Sequence, residues 1–337
     1  MLQKMLFEFF IALLHVFVAF FLCFFSCKIW IKTARKNRLV GKDMNKYKKT
    51  SVAEAGGIAV ILSIVFSTAL YIFFKTFILK SLTNLVEILT FIVTILLACF
   101  IGFVDDILGW KKGLRQWQKP LLTIPIAIPL MVINAGHSSM ALPFIGSVNF
   151  GLIYPLVLVP IAVIGCTNGV NMLAGFNGLE AGLSLIVFSA LGLISFYQNL
   201  LWLTLLAFII VSSLLAFLIF NRFPSRLFPG DSLTYPLGAM VACFAILGNM
   251  EKPALILFIP YIVEACLKAR SKFKAETFGK PNKDNSLDMP YKRVYSLTHI
   301  AIAFLKKTKK KAYEKDIVRF LLLLELIIAT LVLASYL

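Results

Sequence analysis

Carboxylates are scarce in this chain: its 337 residues carry 16 Asp and Glu, charged residues of either sign make up 15%, and there are only three histidines and six cysteines. With hydrophobic residues at 60%, so little charge excludes an ordinary soluble domain, where about 25% of residues are charged and 45–50% apolar. Cys23, Cys27, Cys99, Cys166, Cys243 and Cys266 all fall in or at the edges of apolar segments. No pair has metal-ligand spacing in a polar loop, which argues against a zinc site or a disulfide framework. His15, His137 and His299 are isolated from one another in sequence. No internal repeat of solenoid length is present, and the one low-complexity stretch is Lys306 to Lys311.

What the chain has in abundance is long apolar runs. A hydrocarbon core about 30 Å thick needs roughly 20 apolar residues per helical span, and unpaired backbone in lipid excludes open strands. The runs predict an all-α polytopic membrane protein of about ten transmembrane helices at 5–30, 53–74, 84–104, 118–136, 150–169, 179–197, 200–220, 233–249, 252–268 and 317–336. The first run is too long for a signal peptide and lacks a small-residue cleavage site, so it reads as a span. Residues 1–337 form a single membrane-embedded domain with a long loop at about 269–316.

The formal net charge is +18. Taken alone it would suggest a nucleic-acid partner, but its distribution reads as topology. Of 34 Lys and Arg, 30 fall in the loops after the odd-numbered spans: nine between Lys28 and Lys49, four between Lys111 and Lys119, Arg222 and Arg226, and fifteen between Lys268 and Arg319. The positive-inside rule puts those loops in the cytoplasm and both termini on the opposite side.

Ionisable groups beside a span each demand a reason. Glu54, Asp105, Asp106, Glu180 and Asp231 all lie on the basic side. The adjacent Asp105 and Asp106 follow an apolar span, where acids oppose the helix dipole and repel each other. They read either as a solvated acidic cap or as a site for Mg²⁺ or a proton. The run Asn168 to Gly182 holds three Asn and four Gly between two spans, with Asn168 and Asn171 on one helix face. It reads as a ligand-approaching loop or as a helix-packing seam. In Phe228-Pro229-Gly230-Asp231-Ser232, the Asp and Ser either cap the next helix or make a phosphate site at its N-terminus, aided by Arg222 and Arg226.

Glu54-Ala55-Gly56-Gly57, Phe103-Val104-Asp105-Asp106, the run Asn168 to Gly182, and Phe228 to Tyr235, in this order, resemble the polyprenyl-phosphate N-acetylhexosamine-1-phosphate transferases. The resemblance covers residues 50–300 and favours the branch that acts on UDP-GlcNAc and dolichyl phosphate. It implies a ten-span fold with a cytoplasmic active site, tunicamycin sensitivity, and Mg²⁺ as cofactor with Mn²⁺ as a substitute. The implied partners are UDP-GlcNAc, dolichyl or another polyprenyl phosphate and the bilayer, with no nucleic acid and with a homodimer as a candidate assembly. By resemblance, Asp231 and Asn171 hold Mg²⁺; Gly175, Asn177 and Phe228 contact uridine; and Glu54 contacts the nucleotide or sugar. Asp105, Asp106 and Lys119 handle the acceptor phosphate, and Arg270 and Lys272 bind the pyrophosphate. Where the bacterial branch has aspartates this chain has Ala174 and Asn177, and a bacterial histidine-rich loop motif is absent.

The implied reaction moves N-acetylglucosamine 1-phosphate to the lipid, releases UMP and opens N-glycan or cell-surface glycan assembly. It would take place at the plasma membrane in an archaeon and the endoplasmic reticulum in a eukaryote. Another UDP-HexNAc donor or an undecaprenyl acceptor is the alternative within the family. A transporter is the alternative outside it, disfavoured because the acids gather at one face and no repeat is apparent.

Overall fold

The computed structural model describes residues 2–108, 118–142 and 146–336. Lys111, Lys112 and Arg115 of the second basic loop, and Gly109 beside the aspartate pair, lie outside the described residues.

Helix α1 (Leu2–Lys36) has 35 residues. At about 1.5 Å per residue it is longer than a hydrocarbon core, so its basic end projects past the bilayer. A short antiparallel hairpin follows, β1 (Val40–Lys42) paired with β2 (Ser51–Ala53). Then come α2 (Gly57–Phe73), which continues through a π turn at Phe74–Ile78, and α3 (Leu85–Leu108). The segment expected to span at 118–136 is instead jointed: α4 (Gln118–Thr123), a 3-10 turn at Ile124–Ala127 and α5 (Ile128–Val132). Pro120, Pro125 and Pro129 each remove a backbone donor, which breaks the ladder.

A second hairpin, β3 (Ser139–Leu142) with β4 (Gly146–Asn149), leads through a π turn at Tyr154–Leu158 into α6 (Val159–Met172). Four helices follow: α7 (Leu179–Tyr197), α8 (Leu201–Asn221), α9 (Asp231–Leu247) and α10 (Glu251–Leu257). The next, α11 (Ile259–Ala269), is set off from α10 at Phe258, with Pro260 in its first turn. The long loop carries a two-residue ladder, β5 (Lys280–Pro281) with β6 (Leu287–Asp288), and α12 (Leu297–Lys309), before α13 (Glu314–Ala334). Helix α12 is amphipathic: Leu297, Ala301, Ile302 and Leu305 are buried while Lys306, Lys307 and Lys309 are exposed.

The protein is all-α and polytopic. Among the described residues seven helical stretches are long and apolar enough to cross a membrane: Phe10–Lys36, Gly57–Ile78, Leu85–Leu108, Tyr154–Met172, Leu179–Tyr197, Leu201–Asn221 and Glu314–Ala334. The other expected spans are shorter, at Gln118–Val132 and Asp231–Leu247, or broken, at Phe258.

The 17 residues of α9 stand at the centre, packed against α2, α3 and α6, and every side chain from Ser232 to Ile246 is buried. An apolar helix enclosed on all sides meets protein rather than lipid, so it need not match the bilayer's thickness. Gly102 of α3 makes the approach possible: a Cβ there would stand 2.1 Å from the Asp231 carbonyl oxygen. The carboxyl end of α3 is thereby pressed against the amino end of α9.

Candidate active site

Two loops distant in sequence are zipped together to form the floor. Phe228 N donates to Ala53 O at 2.8 Å, Gly56 N to Phe228 O at 2.9 Å and Gly57 N to Pro229 O at 2.9 Å. The chain then turns through Gly230 at φ +68°, where a Cβ would stand 2.3 Å from Asp106 Oδ2. A side chain is excluded there on both counts. That turn delivers the first two amides of α9 to Asp106: Asp231 N donates to Oδ1 at 2.7 Å and Ser232 N to Oδ2 at 3.1 Å. Asp106 thus caps α9 from a neighbouring helix. Capping by Asp231 or Ser232 was one of two readings of this stretch; the structure hands the cap to Asp106 and turns the Asp231 carboxylate toward the cavity.

That carboxylate meets the side chains of Lys119 and Asn171. Lys119 Nζ lies 2.7 Å from Asp231 Oδ2 and 2.7 Å from Asp105 Oδ2, bridging both acids. Asn171 Nδ2 donates to Asp231 Oδ1 at 2.5 Å and to Thr234 Oγ1 at 2.9 Å. Asp105 and Asp106, adjacent in sequence, therefore face different partners: one meets a cation, the other an amide pair. Among the described residues no three His, Cys, Asp or Glu side chains are grouped to hold a metal alone. Mg²⁺ seldom asks for that, since one or two protein oxygens, phosphate oxygens and water complete its octahedron. The Asp231 carboxylate and the Asn171 amide, turned to present its oxygen, fit this role.

Beside them opens a cavity of about 590 Å³, lined by Glu54, Asp106, Asn171, Gly175, Asn177, Phe228 and Asp231. Seven of the expected site residues from four separate loops thus share one space. Burial, and then the negative charge of Asp231, pushes Glu54 up to about 7. Asn177 is largely committed to its neighbours: its N donates to Glu314 Oε1 at 2.8 Å and its Nδ2 to Asp43 Oδ2 at 3.1 Å. Lys46 Nζ closes the network, 2.7 Å from Glu314 Oε2 and 3.0 Å from Asp43 Oδ2. Asn45 ties the hairpin to two further loops, donating from Nδ2 to Gly175 O at 2.8 Å and accepting from Gly279 N at 3.1 Å.

Other expectations fare differently. Arg270 and Lys272 are exposed at the end of α11 and do not line the cavity. Arg222 and Arg226 point into a different cleft, behind Asn177. The cations on the cavity wall are Arg38 and Lys42, which sequence reading had absorbed into the topological charge of the first basic block. Phe278 was also missed; it lines the cavity, and its ring lies against Gly175. Nothing local marks these residues, because the hairpin and the long loop reach the cavity only in the folded chain.

A second cavity, about 520 Å³, is apolar. It runs between α6, α9 and the broken α10–α11 pair, from Tyr154 and Glu251 at one end to Asn168, Met172 and Pro120 at the other. Pro120 follows Lys119, so this groove ends beside the Asp105–Lys119–Asp231 bridge. Asn168 Nδ2 donates to Thr123 Oγ1 at 3.0 Å. That contact makes Asn168 interhelical glue, while Asn171, one turn on, serves the site.

Residues 88–249 match the glycosyl transferase family 4. A protein of Saccharolobus solfataricus is 35% identical over 312 residues, 91% of either chain, and carries the provisional name UDP-N-acetylglucosamine–dolichyl-phosphate N-acetylglucosaminephosphotransferase. A protein of Sulfolobus acidocaldarius with the same provisional name is 35% identical over 301 residues, 86% of this chain and 87% of its own. The phospho-N-acetylmuramoyl-pentapeptide-transferase of Listeria monocytogenes is 32% identical over 212 residues, 60% of this chain and 64% of its own.

Proposed function

The chain belongs to glycosyl transferase family 4 and is a membrane-embedded phosphoglycosyltransferase, and on that premise we propose that it transfers N-acetylglucosamine 1-phosphate from UDP-GlcNAc to dolichyl or a related polyprenyl phosphate, with Mg²⁺, at the cytoplasmic face. The observation that carries this reading is the charged bridge Asp105–Lys119–Asp231 set between two cavities: Asp231 lines the polar one, and Pro120, the chain neighbour of Lys119, lines the apolar groove. A nucleotide sugar suits the first and an isoprenoid chain the second. Their two phosphate groups would then come together at Lys119.

In the reaction a phosphate oxygen of the acceptor attacks the β-phosphorus of the donor. A new P–O bond forms as the bond from that phosphorus to the bridging oxygen breaks, and the oxygen leaves on UMP. The acceptor oxygen is largely ionised at neutral pH, since a phosphate monoester loses its second proton near pH 6, so no strong base is needed. Catalysis is then positioning and charge neutralisation. Bound Mg²⁺ would neutralise the pyrophosphate and stabilise the departing UMP. Asp231 and Asn171 would hold it, and Asp106 keeps Asp231 in place by fixing its backbone. Lys119 would leave its carboxylates for the acceptor phosphate. Phe228 and Phe278 offer faces for uracil, and Arg38 and Lys42 offer positive charge to the donor. Glu54, neutral below pH 7, would donate a hydrogen bond to the nucleotide or sugar.

Purified protein supplied with polyprenyl phosphate, Mg²⁺ and labelled UDP-sugars in parallel is expected to yield UMP and the sugar-pyrophosphate lipid from UDP-GlcNAc, and to stop with tunicamycin. No product from any UDP-N-acetylhexosamine would overturn the reading.

A further inference from the structure

A third cleft, of about 590 Å³, opens between the ends of α7, α8 and α13, on the far side of Asn177 from the polar cavity. Four cations surround it: Arg222, Arg226, Lys315 and Arg319. Among the described residues none of the four has a carboxylate partner. Lys315 Nζ lies 4.8 Å from the centre of the Phe223 ring, which Lys46 Nζ also covers at 3.9 Å. Four like charges held around one concavity, with only ring faces and a carbonyl for company, repel one another unless an anion enters.

The shape of the cleft says which anion. On α13, Lys315, Arg319, Leu322 and Leu326 recur at helical spacing on one face; on α8, Ile219 and Leu215 share a face that leads up to Arg222, the residue that ends the helix. Each face is cationic at the membrane surface and apolar one to two turns deeper. Leu326, Ile219 and Leu215 are 50%, 37% and 47% exposed, and Leu322 lines the cleft floor. A charged head above an apolar body is the profile of a lipid rather than of a free phosphate. The acceptor lipid already has a groove, against α6, α9 and α11, and only Asn177 is common to this cleft and the polar cavity.

We propose that this cleft is a binding site for an anionic phospholipid of the leaflet on the active-site side, its phosphate held by Arg222, Arg226, Lys315 and Arg319 and its acyl chains lying on the exposed apolar faces of α8 and α13. The cleft and its four cations stand apart from the transferase reading; only the exclusion of the acceptor lipid rests on it.

The test is to reconstitute the protein in nanodiscs of phosphatidylcholine and phosphatidylglycerol in equal amounts, re-extract it, and weigh the retained lipid by native mass spectrometry. Phosphatidylglycerol is expected to be retained in strong preference. The preference should fall roughly thirtyfold in the double variant Arg222→Gln, Arg319→Gln, as removal of two surface cations predicts. The single variant Lys315→Gln should lose about fivefold and serves if the double variant folds poorly. Ile219→Trp, which fills the apolar wall and leaves all four cations, should also lower retention. Equal retention of the two lipids, or an unchanged preference in both charge variants, overturns the proposal. Displacement of the retained lipid by inorganic phosphate would reassign the cleft to a soluble anion. Displacement by polyprenyl phosphate, with a raised acceptor KM in the double variant, would reassign it to the acceptor.

Discussion

The two ends of the polar cavity are built from the same kinds of side chain and behave differently. At one end Asp43, Lys46, Asn177 and Glu314 are paired with one another, and the side chains of Lys46 and Glu314 are only 13% and 2% exposed. That network has little left to offer a ligand; it fastens the hairpin, the Asn-rich loop and the start of α13 into one wall. At the other end Asp105, Lys119, Asn171 and Asp231 meet, Asn171 and Asp231 on the cavity wall, and Lys119 is the counter-charge for two acids at once. A single cation shared by two carboxylates can exchange them for phosphate oxygens when an anion and a divalent ion arrive. The contrast teaches that an ion pair in a cavity is scaffold or machinery according to whether its partners can be traded.

Substitutions should separate the two ends. Asp231→Asn keeps the shape and removes the charge, so UMP release is expected to fall roughly 10³-fold while the thermal melt in detergent stays near wild type. A large fall in melting temperature would move Asp231 to the scaffold side. Glu314→Ala is expected to do the reverse: breaking a buried pair costs about 3 kcal/mol, so the melt should drop markedly while turnover per folded molecule changes far less.

Smaller effects test the cavity between the ends. Phe228→Ala should weaken UDP binding about tenfold by calorimetry if the ring stacks on uracil. Glu54 gives a pH signature. Because its folded value of about 7 lies above the ordinary carboxylate range, the folded chain holds this proton more tightly than the unfolded one. Its contribution to stability therefore falls as pH rises from about 4.5 to about 7 and is level above that. Above pH 7 it adds a negative charge beside an anionic ligand, so the Kd for UDP-GlcNAc measured without metal should rise about fivefold through that range. Glu54→Gln should abolish this component, and a wild-type limb that survives in the variant would reassign it to another group.

Much of the site was legible because its residues are improbable where they stand. Acids and amides beside apolar spans have few bland explanations, and Asp105, Asn171, Asn177 and Asp231 stood out on that ground alone. Arg38 and Lys42 did not, since a cavity-lining cation and a topological one look alike in a basic block. Arg270 and Lys272, which the resemblance singled out, do not line the cavity. The jointed stretch from Gln118 to Val132 and the break at Phe258 were hidden because hydropathy averages over a window, whereas a proline acts on one bond.

Local composition determined the all-α membrane architecture and the residue types available for phosphate chemistry, because apolar period and loop charge are properties of short stretches of chain. Only the tertiary structure decided that Asp106 caps α9 while Asp231 faces the cavity, that Lys119 spans two acids, and that Arg222 and Arg319 share a cleft of their own. The contacts at the start of α9 join residues up to 126 positions apart, and they exist because α9 is buried so closely by its neighbours that the ends of distant helices have one place to meet.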